Sequence, residues 1–234
     1  MQICFEGGDG ALHPEYFKND KGVEIDKITI SSTAFSGSSV LARFNLWTSD
    51  KKLVYAVGRY KKSNTEGYLL YSTDPSDIQF NNINDYSLAQ IQELADSNDK
   101  YIIAHVTSTN CYGDLYPIVN ISNYSSTDRY WLFSANRSKV IINIEYSKKI
   151  SFDQLRFSPN AGWGSSVIGT WREGYMKSGT VDFFNDDNRV LNYEFNNLNR
   201  FSRVMINSKE LTVDTYDETI IKSSQDAYNV DIIY

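Results

Sequence analysis

The chain has 234 residues, of which 41% are hydrophobic, 22% charged and 14% aromatic, and its net charge is −6. That is enough apolar content for one large or two small packed domains, and it excludes a disordered tail. The Lys-Lys pairs at 51–52, 61–62 and 148–149 are surrounded by acidic residues, which excludes the clustered positive charge of a nucleic-acid-binding groove.

The start, MQICFEGGDGALHPEYF, has no charged segment leading into an apolar stretch of about 7–15 residues, so no secretory signal is expected. No segment approaches the roughly 18 apolar residues of a membrane span. In VEIDKITIS, Val23 and Ile25 alternate with Glu24 and Asp26, then Ile28 and Ile30 with Lys27 and Thr29. This period of two predicts a strand with one wet face. Ser32 to Ser39 reads as a loop. VLARFNLW predicts a strand with Val40, Ala42, Phe44 and Leu46 on one side. SDKK turns it into LVYAVGRY, a hairpin, and SNTEG turns again before YLLYST. One helix is expected, over 87–97. Leu88, Ile91, Leu94 and Ala95 form its apolar stripe, and Ser87 with Gln90 has the spacing of a capping box. YIIAHVTS follows as a strand. Residues 107–128, rich in Ser, Thr, Asn and Asp, read as a passage between two parts.

Beyond that passage nearly every segment predicts strand. KVIINIEY places Val140, Ile142, Ile144 and Tyr146 on one face, a Lys-Lys turn follows, and QLRFS points Leu155 and Phe157 inward. TVDFF and RVLNYEF flank NDDN, a hairpin turn. RVMINSKELTVD and a closing YNVDIIY complete the chain. Short strands at regular spacing suggest an antiparallel sandwich. The expected organisation is a β-rich domain with one helix over 1–120 and a β-sandwich over 121–234.

Little in the chain points to catalysis. Cys4 and Cys111 form no CxxC pair, and with only His13 and His105 they do not compose a zinc site, so both read as free thiols. The Asn120, Asn123 and Asn136 sequons carry little meaning without secretion. Asp186 and Asp187 lie in a turn that lacks the spacing of a calcium loop. His105 alternates within a strand and has no G-x-S-x-G partner. No phosphate-binding glycine motif occurs. No cofactor is expected, and the chain reads as a non-enzyme.

The stretch DRYWLFSANRSKVIINIEYSKKISFDQLRFSP resembles the central part of galactose-binding-like jelly rolls of the discoidin type. The matching residues are Asp128, Trp131, Ser134, Val140, Ile142, Ile144, Ile150, Leu155, Phe157 and Pro159, with YNVDIIY in the place of the closing strand. The likeness spans about residues 120–234. Glu145 stands at the family's acidic position, and the clasping cysteines of secreted members are absent. Versions without them resemble domains of bacteriophage tails, baseplates and fibres and of bacterial carbohydrate-binding modules. The resemblance implies a jelly roll in the C-terminal half. It also implies a non-enzymatic virion component, assembled in the host cytoplasm, whose partners are other virion subunits or a cell-surface glycan. A carbohydrate-binding module is the alternative.

Four residues are candidates for binding a ligand or partner. Trp163 and Trp171 sit in Gly- and Ser-containing loops, and Tyr175 follows closely; exposed aromatic rings there can stack on a sugar or anchor a subunit. Arg156 lies between inward residues and so faces outward or into a groove. Trp131 reads as a core aromatic, with a ligand platform as the other reading.

Overall fold

The protein is described by a computed structural model over residues 22–36, 39–49, 53–77, 83–111, 114, 117–121, 131–133, 139–158, 175–199 and 202–215. It is mainly β, with strands β1 (Val23–Ser36), β2 (Ser39–Thr48), β3 (Leu53–Lys61), β4 (Glu66–Ser72), β5 (Asn84–Asp85), β6 (Tyr101–Ser108), β7 (Trp131–Phe133), β8 (Val140–Ser158), β9 (Tyr175–Asn185), β10 (Asn188–Phe195), β11 (Ser202–Asn207) and β12 (Leu211–Thr215), and one helix, α1 (Leu88–Ser97).

All twelve strands belong to one mixed sheet, in the order β10-β9-β1-β8-β6-β4-β3-β2-β7, with β11 and β12 joined through β8. Only the short β5 runs parallel to its neighbour, β3. Strands from before and after residue 120 alternate in this order, because β1 lies between β8 and β9.

The organising element is β8, 19 residues long. The Lys148-Lys149 segment does not reverse the chain, contrary to the turn expected there. Instead, on β8, residues 146–149 bulge opposite Asp26, between the pairs Lys27↔Glu145 and Ile25↔Ile150. Unpaired residues at such a bulge bend the strand and re-aim its two halves. The first half lies between β1 and β6, and Ile144 faces both Ile28 and Val106. The second half lies between β11 and β2, and Leu155 faces both Ile206 and Leu46. Because β2 also pairs with β3, the pairings β8–β6–β4–β3–β2 return to β8. The segment expected as a loop after Ser32 is strand as far as Ser36, because β9 continues beside it through Tyr175.

The core follows from this pairing. Val140, Ile142, Ile144, Leu155 and Phe157 are buried in a single cluster, as the strand alternation predicts. Ile28 and Ile30 of β1 and Val181 and Phe183 of β9 extend that cluster sideways. Phe152 stacks on Phe183 at 4.7 Å, and Phe157 meets Phe195 edge-on at 5.7 Å. Alternation fails between Phe152 and Leu155, where Asp153 and Gln154 are buried too.

The helix is capped as the sequence predicts. Gln90 N donates to Ser87 Oγ at 3.3 Å, and Ser87 N donates to Gln90 Oε1 at 2.8 Å. Ile91 is its one buried side chain, set against Leu70 and Ile103 with Leu94 and Ala95 half-buried beside it. Leu88 departs from expectation and is 40% exposed. It lies in the first turn, one turn ahead of Ile91, where the stripe has run past the patch that α1 covers. Gly58 sits under the ring of Tyr86, and a Cβ there would collide with it. The β9–β10 hairpin turns on Asp186 and Asp187, whose φ values of 48° and 61° are left-handed. Asp tolerates that region better than most residues, because its short side chain can bond locally.

Candidate functional site

Register places one side chain from each of seven strands in a single row on the face of the sheet opposite the core: Arg189, Phe184, Lys27, Glu145, His105, Tyr68 and Tyr60. At about 4.8 Å per strand the row spans roughly 29 Å. A second row, two residues along, holds Asn192, Asp182, Thr29, Asn143, Thr107 and Glu66. Both follow from period-two alternation: Ile28, Ile30, Ile142, Ile144 and Val106 turn inward, so Lys27, Thr29, Asn143, Glu145, His105 and Thr107 turn outward.

His105 is the centre of the polar contacts. Its Nε2 lies 3.0 Å from Glu66 Oε1, and Lys62 Nζ lies 2.9 Å from the same oxygen. The hydrogen bond from Lys62, and then the one from His105, holds the Glu66 carboxyl below its ordinary range, and Glu66 in turn raises Lys62. An ionised carboxylate only accepts, so Nε2 of His105 carries a proton. On the other side, His105 Nδ1 is 3.9 Å from Glu145 Oε2, and Lys27 Nζ pairs with Glu145 Oε1 at 3.1 Å. The Tyr68 ring stacks on His105 at 4.8 Å and faces Tyr60 at 6.3 Å. Tyr68 is therefore sandwiched between the rings of His105 and Tyr60, and all three are half-buried. Helix α1 covers the next positions, Leu70 and Ile103, so the ring row marks where its cover ends.

The second row is joined by neutral contacts. Thr29 Oγ1 donates to Asn143 Oδ1 at 2.8 Å, and Asn143 Nδ2 donates to Thr107 Oγ1 at 3.4 Å. Asn192 Nδ2 and Arg189 Nη1 both donate to Asp182 Oδ1, at 2.7 and 3.3 Å. Beside the first row is an open hollow of about 410 Å³, lined by Asp26, Lys27, Glu145, Tyr146, Asp186 and Asp187. Its acids are tied internally: Asp186 pairs with Lys149, and Asp186 N donates to Asp26 Oδ2 at 2.9 Å. The hydrogen bond to Asp186 raises Lys149. Asp186 and Asp187 thus serve the turn, as their sequence context suggested.

The candidates named from sequence are not among these residues. Trp163 and Trp171 fall outside the described residues. Tyr175 begins β9 opposite Ser36, and Arg156 lies on the second half of β8 between Asn45 and Met205. The side chains of both, and of Trp131 on β7, also lie outside the description. Sequence reasoning passed over Lys27, Glu66, Tyr68 and Tyr60, and it found no partner for His105. Each is an outward position in a predicted strand, but no local pattern shows which strands are neighbours.

No family model, curated protein or solved structure matches this chain. Among the described residues no helix is long and apolar enough to cross a membrane, and no cluster of His, Cys, Asp or Glu is arranged to hold a metal.

Proposed function

We propose that the protein is a non-enzymatic, receptor-facing component of a bacteriophage-type particle, part of a tail, baseplate or fibre, with other virion subunits as partners. The sequence resemblance to galactose-binding-like jelly rolls of such particles supports this reading. The structural observation that carries it is the outer face, where side chains from seven strands lie in one ordered row. A row fixed by backbone register is pre-organised, and pre-organisation lowers the entropy lost on binding. A breadth of roughly 29 Å suits an extended partner better than a small molecule, which is held in a concave pocket.

A carbohydrate-binding module is the second reading. It is favoured by the hydroxyl and amide groups of Thr29, Asn143 and Thr107, in the row next to the stacked rings of Tyr68 and His105. The two readings separate in a density gradient of material from a host making the protein at its native level. A virion component migrates with large particles and stays with them through a high-salt wash. Migration solely at the size of the free chain contradicts the virion reading.

A further inference from the structure

We infer that the outer face of β1, β8 and β6 binds an uncharged, hydroxyl-rich glycan chain lying across the strands, an inference that rests on the receptor-facing reading above. Charge narrows the ligand first. The three cations of the two rows and their flank each meet an anion: Lys27 with Glu145 at 3.1 Å, Lys62 with Glu66 at 2.9 Å and Arg189 with Asp182 at 3.3 Å. Nucleic acids and acidic polysaccharides are captured by cations free to neutralise them, and these are already compensated.

Apolar anchoring narrows it next. A protein partner is held by aromatic or aliphatic anchors buried at the centre of the contact. The exposed large hydrophobic residues among those described are Leu88, Val190 and Val213, and none belongs to either row; the rings of the first row, Phe184, Tyr68 and Tyr60, are half-buried and leave no fully exposed anchor. The polar chemistry then points to the ligand. Thr29, Asn143 and Thr107 form a chain of hydroxyl and amide groups in which each hydroxyl keeps lone pairs to spare. Thr29 Oγ1 is left with lone pairs to accept, Asn143 Nδ2 with its second N–H to donate and Thr107 with its hydroxyl hydrogen to donate, and the three stand at the strand spacing of about 4.8 Å. Sugar hydroxyls, which donate and accept at once, complement such an array. The self-paired charges on either side discriminate against ionic competitors by leaving them no partner.

The test uses the full chain on an array of neutral mannan, galactan, dextran and β-glucan oligosaccharides, with heparin and sialylated oligosaccharides as charged probes. The expected result is retention on one or more neutral chains and at least a tenfold loss of affinity in the double variant T29V/T107V. That variant keeps side-chain shape and β-propensity, and its circular dichroism and melting temperature report its fold. If it does not fold, the near-isosteric Asn143→Asp, which sets an uncompensated charge in the array, is read the same way. Leu88→Ala, away from the face, is expected to bind like the parent. Retention on no neutral chain, preference for the charged probes, or undiminished binding by the folded variants each overturns the inference. Particle co-migration measured on the same protein separates the two failures. Co-migration without glycan binding removes this inference alone, and glycan binding without co-migration removes the virion reading alone.

Discussion

Ile144→Ala tests whether β8 is the hub of the core. Ile144 is fully buried between Ile28 and Val106. The change removes three carbons, worth about 2.4 kcal/mol at roughly 0.8 kcal/mol per buried CH₂. The flanking strands are tied by backbone pairing on both sides and cannot collapse freely into the space, so a cavity contribution adds to this. The sum should fall at about 3–4 kcal/mol, inside the range of roughly 2–5 kcal/mol for such truncations. At about 2–4 °C per kcal/mol for a chain of this size, the melting temperature should fall by roughly 6–16 °C. Equilibrium urea denaturation is the assay: the midpoint should shift while the slope is unchanged. Leu88→Ala is the control, expected to cost under about 1 kcal/mol because Leu88 is 40% exposed and alanine is the better helix former. A loss below about 1 kcal/mol for Ile144→Ala, or equal losses for the two variants, would refute the placement of the core.

Ser87→Ala removes the side-chain half of the capping box, the bond that Ser87 Oγ accepts from Gln90 N, and keeps the Ser87 N–H that donates to Gln90 Oε1; it should destabilise by about 1 kcal/mol in the same denaturation assay. Asp187→Gly relieves a left-handed non-glycine residue at φ 61° and should stabilise by about 0.5–1 kcal/mol, since the strain removed exceeds the backbone entropy glycine adds. Asp74 has its carboxyl lowered from 3.8 to about 2 by the Ser76 side chain and backbone, and then by Lys100. A lowered carboxyl stabilises the folded state fully above its unfolded value and loses that effect as the pH falls through the folded one. Asp74→Asn should therefore melt below the parent at pH 7, and the gap measured by thermal denaturation should close as the pH is brought towards 2.

How far the sequence reached depended on how local each feature is. The strands of β8, the helix with its Ser87–Gln90 cap and the Asp186-Asp187 turn all rest on neighbours within a few residues, and all were legible. The continuous passage of β8 through Lys148 and Lys149 was not. Two lysines read as a turn, whereas the strand bulges there and pairs with β1 again from Ile150. The extension of β1 to Ser36 likewise depends on β9 lying alongside. The outer rows were the least legible feature, because their contacts join residues far apart in the chain. Thr29 and Asn143 are 114 positions apart. Alternation says that His105 faces outward but cannot say that Glu66 and Glu145 will flank it. Aromatic content drew attention to Trp163 and Trp171 in loops, whereas the rings the structure brings together, Tyr60 and Tyr68, stand in strands that read as ordinary sheet.

Adsorption of the labelled full chain to bacterial envelopes tests most directly the proposal that the outer face meets a surface glycan. Envelopes are compared before and after periodate oxidation, which cleaves the vicinal diols of sugars and spares most other surface chemistry. Saturable adsorption to untreated envelopes, lost after oxidation and lost again with T29V/T107V, is the predicted result. Adsorption that survives both the oxidation and the variant would contradict the account.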